Sequence, residues 1–298
     1  MKILVTGAGG LLGGRIIDFF NKKGYEIVAI SRCFKGSDDW GKSVDIVNLD
    51  INESLNLKKH LDGVSLVIHA AGVNAADSLK DPIKALYFNG LVTAKLLNES
   101  IKCGVPKFIY LSTLHVYSSM LSGSVNENNC ITNTHPYATS HRAGEDAVLF
   151  ANNQNKIQGI VLRLSNSFGF PINESANCWS LLVNDICRQA SVKGKISLNS
   201  SGNQFRNFIS ISEVCKFICF LFENKVHSSK FPIINLGSKN TITVLAMSKL
   251  VKDRAENFLN KKIPLLVKNE SKNQAFKSFK IQTLLLDKLG YSVSNNYL

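Results

Sequence analysis

Apolar and polar positions along this chain alternate between two periods. Lys2-Ile3-Leu4-Val5 is an apolar run of the length of one buried parallel strand, and Leu11 to Phe20 repeats apolar residues at helical spacing. The same alternation returns downstream. Tyr25 to Ile30, Val44 to Leu49, Val64 to His69, Lys107 to Leu111 and Gly159 to Arg163 read as further strands. Helical stretches from about Pro82 to Lys102 and from Pro136 through Phe150 separate them. Strands alternating with helices, without an internal repeat, predict an α/β chain built on a doubly wound parallel sheet. After Phe168 the pattern turns irregular and rich in Asn and Ser around Ile172 to Trp179. Helices are expected near Leu181 to Gln189, Val214 to Phe222 and Ile281 to Leu289.

The turn between the first strand and its helix carries the first candidate chemistry, Thr6-Gly7-Ala8-Gly9-Gly10-Leu11-Leu12-Gly13. Gly7 suits a tight turn, Gly10 lets backbone approach a pyrophosphate, and Gly13 lets the helix lie close to the strand. The N–H groups of the first helical turn, from Leu11 and Leu12, would face the anion. Glycine turns are common, and what raises this one is the strand before it and the helix after it. The expectation is a Rossmann-like dinucleotide domain over residues 1–165. Residues 166–298 would form a smaller, mainly substrate-binding region, with segments around 205–240 returning to the core.

Three strand ends refine the cofactor. Strand two ends in Ser31-Arg32, with Lys35 nearby and the first acid delayed to Asp38. An acid here bonds the ribose 2′-hydroxyl of NAD, whereas Arg accommodates the 2′-phosphate of NADP. NADP is therefore expected, with NAD the alternative if Arg32 is only an exposed loop residue. Asp50-Ile51 follows strand three, where Asp50 would accept from the adenine amino group or cap a helix. Ala70-Ala71-Gly72 closes strand four with residues small enough for a cofactor to lie against backbone.

The chain has 298 residues, of which 45% are hydrophobic, enough for a sizeable core. No apolar run reaches the about 18 residues that span a bilayer, and Lys2 opens directly into a strand, so a cytoplasmic protein is expected. Its seven cysteines include no Cys-x-x-Cys pair, and Cys215 and Cys219 share one apolar helical face as core thiols, with no metal site. The net charge of +13 is spread along the chain without interleaved aromatics, which argues against nucleic acid. Such a surface is either merely solvated or attracts a multiply anionic small molecule such as a nucleotide sugar.

The chain resembles the extended short-chain dehydrogenases/reductases, in particular the nucleotide-sugar epimerase, dehydratase and reductase branch. The resemblance runs through Thr6-Gly7-x-x-Gly10-x-x-Gly13, Asp50-Ile51, His69-Ala70-Ala71 and Asn89. It continues through Ser112-Thr113-x-x-Val116-Tyr117, Pro136-Tyr137, Asn166-x-x-Gly169 and Arg206-Asn207-Phe208-Ile209. It implies that Tyr137 is the general acid/base, that Thr113 holds the substrate oxygen, and that Asn89 belongs to the cofactor site. Asn166 and Arg206 would contact the sugar and diphosphate, the planar guanidinium pairing with phosphate oxygens. It also implies a homodimer through the helices carrying Asn89 and Tyr137.

Two departures from the family matter. The pattern Tyr-x-x-x-Lys is here Tyr137-x-x-x-His141, and i and i+4 side chains share a helix face. The family's lysine bonds the nicotinamide ribose and lowers the tyrosine pKa. A unit charge about 5 Å away at an effective dielectric of about 20 is worth roughly 3 kcal/mol. Histidine keeps the ribose bond but is mostly neutral at pH 7. Oxidation of an alcohol needs tyrosinate, whereas reduction of a ketone needs the protonated phenol, so an NADPH-driven keto-sugar reductase is expected. An epimerase with tightly bound cofactor is the alternative, and an impaired NADP-binding sensor or scaffold is a third reading. The second departure is Leu114-His115, where the family's 4,6-dehydratases carry Asp-Glu. Leucine is neither acid nor base, so dehydration is not expected.

Overall fold

Aliphatic residues alternate between two cores along each central strand, which is why the strands read as continuous apolar runs. Ile3 and Val5 pack with Ile16, Ile17 and Phe20 of one helix and Val214, Phe217 and Ile218 of another. Leu4, between them, packs on the opposite face with Leu96, Leu97, Val148 and Ala151. In this computed structural model, residues 1–34, 38–51, 57–227, 229–268, 276–282 and 284–294 are described. Lys35 lies outside them.

The central sheet consists of β1 (Lys2–Thr6), β2 (Glu26–Ser31), β3 (Val44–Asn48), β4 (Val64–His69), β5 (Lys107–Thr113), β6 (Gln158–Leu164) and β7 (Ile233–Leu236). All seven strands are parallel, in the spatial order β7-β6-β5-β4-β1-β2-β3. The order reverses between β1 and β4, and ligands in open parallel sheets bind outside the C-terminal strand ends at such a reversal. The expected α/β, Rossmann-like doubly wound sheet is the observed fold.

Beyond β6, the strand Asn166–Phe168 pairs in parallel with Phe205–Ser210, which pairs antiparallel with Thr241–Thr243. Two expectations are corrected. The stretch from Pro82 to Lys102 is helical, but its centre, Leu86–Val92, is a π-helical turn that contains Asn89. The final helix covers only Leu284–Lys288, because Phe279–Ile281 is a strand paired with Gly123–Val125. Phe279 and Ile281 are buried at a period of two, which a helix cannot satisfy.

Candidate active site

The glycine turn is held against the end of β4. Gly7 has φ of 74°, and a Cβ there would lie 2.9 Å from the Ala71 nitrogen. A Cβ on Gly13 would lie 2.2 Å from the Gly7 carbonyl oxygen, so only glycine lets this helix, Leu11–Lys22, start so close to β1. Gly10 is its N-cap; no side chain caps it, and no acid stands in its first turn. The Leu11 and Leu12 N–H groups, at the positive end of the helix dipole, therefore suit an anion. Gly10 and Gly72 are both exposed, so their backbone is open to a ligand. The residues present fit a dinucleotide.

A chain of buried hydrogen bonds fixes the floor. Thr6 Oγ1 accepts the N–H groups of Ala70 and Ala71, each at 3.2 Å, and lies 2.7 Å from His69 Nδ1. Its one proton therefore goes to Nδ1. His69 Nε2 then donates to Thr93 Oγ1 at 3.0 Å, and Thr93 donates to the Asn89 carbonyl at 2.7 Å. Burial pushes His69 down to about 3, so it stays neutral and structural. The Asn89 amide oxygen accepts the Val73 N–H at 2.7 Å, and its nitrogen donates to Ser140 Oγ at 3.0 Å. Asn89 thus joins the floor to the helix Pro136–Asn153, which carries Tyr137 and His141.

Tyr137 stands at the first turn of that helix, and His135 Nδ1 accepts its backbone N–H at 3.1 Å. Its side chain neighbours Thr113, the last residue of β5, which favours the phenolate. Burial holds the phenol above its ordinary range, with Thr113 pulling the other way. The His141 ring lies edge-on to Tyr137, with centroids 4.6 Å apart. A Cβ on Gly72 would come within 3.9 Å of His141 Cε1 and 3.1 Å of Asn89 Oδ1. His141 therefore borders the floor where a cofactor ribose would rest.

Tyr110, in β5, determines which His141 nitrogen faces that floor. Its hydroxyl donates to the Asn89 carbonyl at 3.2 Å and lies 2.9 Å from His141 Nδ1. A carbonyl only accepts, so the Tyr110 proton is committed and Nδ1–H donates to Tyr110. His141 Nε2 is left with a lone pair toward the site. Burial, assisted by His115, pushes the imidazole down to about 4. At neutral pH position 141 therefore carries no charge.

Beneath Thr113, Ser112 Oγ donates to Glu145 Oε1, and Glu145 forms a buried pair with Arg163 at 2.6 Å. Arg163 also donates to the Tyr117 hydroxyl at 2.7 Å, which in turn donates to Asn235. This buried network pins the end of β5.

The remaining expected residues lie on other elements of the chain. Arg32 is exposed just past Ser31, its guanidinium 5.6 Å from the centre of the Phe88 ring. Asp50 is half-buried beyond β3, followed by buried Ile51. Asn166 donates through its amide nitrogen to the Asn207 carbonyl at 2.8 Å, which leaves its oxygen as the polar atom available to a ligand. Arg206 is exposed, and its charge acts on His115.

Three contributors escaped the sequence reading. Tyr110 looks like any aromatic of a buried strand. Gly144 is required because a Cβ there would lie 2.5 Å from the Asn89 carbonyl oxygen and 2.7 Å from the Tyr110 hydroxyl. A lone glycine inside a helical pattern was its only signal. Asn173, in the irregular stretch, donates to the Gly9 carbonyl at 3.0 Å and ties that stretch to the glycine turn.

Known proteins share sequence and fold with this chain. A Methanocaldococcus jannaschii protein provisionally named UDP-glucose 4-epimerase is 27% identical over 259 residues, 84% of this chain and 81% of that one. The structure of a UDP-N-acetylglucosamine 4-epimerase from Methanobrevibacter ruminantium M1, in complex with UDP-N-acetylmuramic acid, superposes with a TM-score of 0.84. It is 19% identical and covers 99% of this chain and 93% of its own. A UDP-glucuronic acid 4-epimerase from Bacillus cereus, in complex with UDP-glucuronic acid and NAD, superposes with a TM-score of 0.81. It is 21% identical and covers 100% of this chain and 95% of its own. At these identities the two structures speak for the fold. The profile of the NAD dependent epimerase/dehydratase family matches residues 3–237, from β1 to the end of β7, and the chain belongs to that family.

Proposed function

We propose that this protein is an NAD(P)-dependent oxidoreductase of nucleotide-linked sugars that works chiefly as a keto-sugar reductase with NADPH. The observation that carries the direction is the neutral His141 beside Tyr137. Burial raises the Tyr137 phenol, and no positive charge at position 141 offsets it. A phenol that stays protonated is a proton donor, which reduction of a ketone requires and oxidation of an alcohol does not.

When bound, the nicotinamide exchanges hydride with the sugar carbon. The chain's own residues do the rest. Thr113 and Tyr137 hold the sugar oxygen, and Tyr137 gives it the proton. His141 Nε2 accepts a hydrogen bond from a ribose hydroxyl, whereas a lysine there could only donate. Arg206 and the Asn166 oxygen bind the diphosphate and sugar, and the exposed Arg32 meets the 2′-phosphate of NADP. A homodimer through helices exposing Ile83 and Phe150 is part of the same proposal.

Epimerisation is the second reading, favoured by the names of the similar proteins. One experiment separates the two. A UDP-linked 4-keto sugar is mixed with NADPH or NADH, and cofactor fluorescence and sugar products are followed. Stoichiometric loss of NADPH supports the reductase. Interconversion of UDP-hexoses without net cofactor loss supports the epimerase. Preference for NADH removes the role given to Arg32.

A further inference from the structure

The region beyond the central sheet ends in a corner that the chemistry of the cleft does not use. Its small core is built on the helix Val244–Leu259, where Val251 and Ala255 pack against the cluster containing Ile186, Ile196 and Ile263. Phe258 continues their stripe by one more turn, at i+7 from Val251 and i+3 from Ala255. The core stops short of it, and Phe258 stands 89% exposed. An aromatic ring on the core-facing stripe of a helix, left in water, forgoes the burial that its neighbours on that stripe obtain.

Two other segments bring exposed apolar residues to the same corner. The helix ends at Asn260, which is left-handed, and the chain turns back through Lys261 and Lys262. There Lys261 Nζ lies 3.5 Å from where a Cβ on Gly194 would stand, just past the π-helical turn Gln189–Lys193. That turn carries Val192, 74% exposed. The Pro264 carbonyl accepts the Ile196 N–H at 2.8 Å, and the strand Leu265–Val267 then pairs in parallel with Ile196–Leu198. Leu266 on that strand is 51% exposed. Charge follows the same surface. Residues 189–198 and 257–268 contain five lysines, Lys193, Lys195, Lys261, Lys262 and Lys268, and no acid. All five are exposed. The nearest acid along the chain, Glu256, is committed to Lys252 at 3.0 Å and to the Ile263 N–H at 2.7 Å.

We infer that this corner is a docking surface for an anionic lipid bilayer, with Phe258 and Leu266 entering the headgroup boundary and the lysines facing lipid phosphates. No helix among the described residues is long and apolar enough to cross a membrane, and the contact proposed is with the membrane surface alone. Apolar side chains set among lysines suit such a contact, because lysine stems lie along the boundary while the ammonium heads stay at the phosphates. Each lysine near an anionic leaflet adds attraction that falls off within a Debye length. A second copy of this chain is a poorer occupant, since a two-fold contact would set the same lysines against one another. The inference is independent of which reaction the cleft performs.

The test uses the full chain and vesicles of phosphatidylcholine, with or without phosphatidylserine, read by co-sedimentation. Binding is expected only where phosphatidylserine is present, and it should weaken as salt is raised. A chain of net charge +13 meets any anionic surface through diffuse attraction, so insertion is read separately at this corner. Phe258→Trp should show a blue shift of indole emission on the anionic vesicles that the native protein, with only Trp40 and Trp179, does not show. Phe258→Ser combined with Leu266→Ser should lower the apparent affinity at least about tenfold at a native melting temperature. Lys261→Glu combined with Lys262→Glu should do the same. A native chain that does not sediment with the anionic vesicles, or that binds both kinds equally, overturns the inference. So does Phe258→Trp without a blue shift, or a folded serine double variant of native affinity. If that variant instead halves the native mass in light scattering, the corner joins copies of this chain and the membrane contact is refuted.

Discussion

Replacing His141 by lysine tests the electrostatic argument directly. In the native site the two rings are 4.6 Å apart and the imidazole is uncharged, because burial pushes it down to about 4. A lysine ammonium would stand about 5 Å from the phenol oxygen, worth about 3 kcal/mol at an effective dielectric of about 20. That lowers the Tyr137 pKa by about two units. The lysine also loses the hydrogen bond to Tyr110 and buries its ammonium beside a carbonyl that already accepts from Thr93 and Tyr110. The assay is the pH dependence of kcat/KM for oxidation of a UDP-sugar by NADP+, measured beside reduction of the matching keto sugar. The limb rising with pH should move about two units toward acid in His141→Lys, a gain on the order of a hundredfold on that limb. Reduction at pH 7 should change little through protonation, because the phenol stays mostly protonated in both proteins. His141→Gln, neutral like the native residue, should leave the limb where it is. If the limb of a folded, NADPH-binding His141→Lys does not move, charge at position 141 does not govern Tyr137.

Other expectations follow from the same contacts. Glu145→Gln breaks the buried pair with Arg163 and leaves an uncompensated guanidinium, a loss of about 3–5 kcal/mol measurable by urea denaturation; a native midpoint would show that the pair carries no net stability. Gly13→Ala forces the helix Leu11–Lys22 away from the Gly7 carbonyl, so NADPH affinity should fall at least about tenfold, since each tenfold is about 1.4 kcal/mol; unchanged affinity in a titration would refute the close-approach argument. Stability should decline as pH falls from about 6.5, where unfolded histidines begin to bind protons, toward 4, because native His69 and His141 take them up only near about 3 and 4. His141 alone accounts for about 3 kcal/mol of that decline, and His141→Gln should flatten the profile by a comparable amount in denaturation at a series of pH values.

The sequence alone determined the features that depend on neighbours along the chain. The apolar runs of β1 to β6 specify buried parallel strands, because a strand covered on both faces must be apolar at every position. The glycine turn is legible because strand, tight turn and helix follow within a few residues. Tyr137 and His141 fall on one face of one helix by the helical period alone. Only the tertiary structure decided what those residues experience. Tyr110 and His141 are 31 positions apart, and the tautomer of His141 depends on the Asn89 carbonyl from a third element. Asn173 reaches Gly9 across 164 positions, a contact that no local pattern encodes. The strand at Phe279–Ile281 exists because Gly123–Val125 offers it an edge, and it takes Ile281 from the helix that the local pattern predicts over Ile281 to Leu289. Periodicity and backbone sterics are local and can be read from the chain. Desolvation, proton direction and long-range pairing belong to the folded environment, and they make this histidine a neutral acceptor beside a protonated tyrosine.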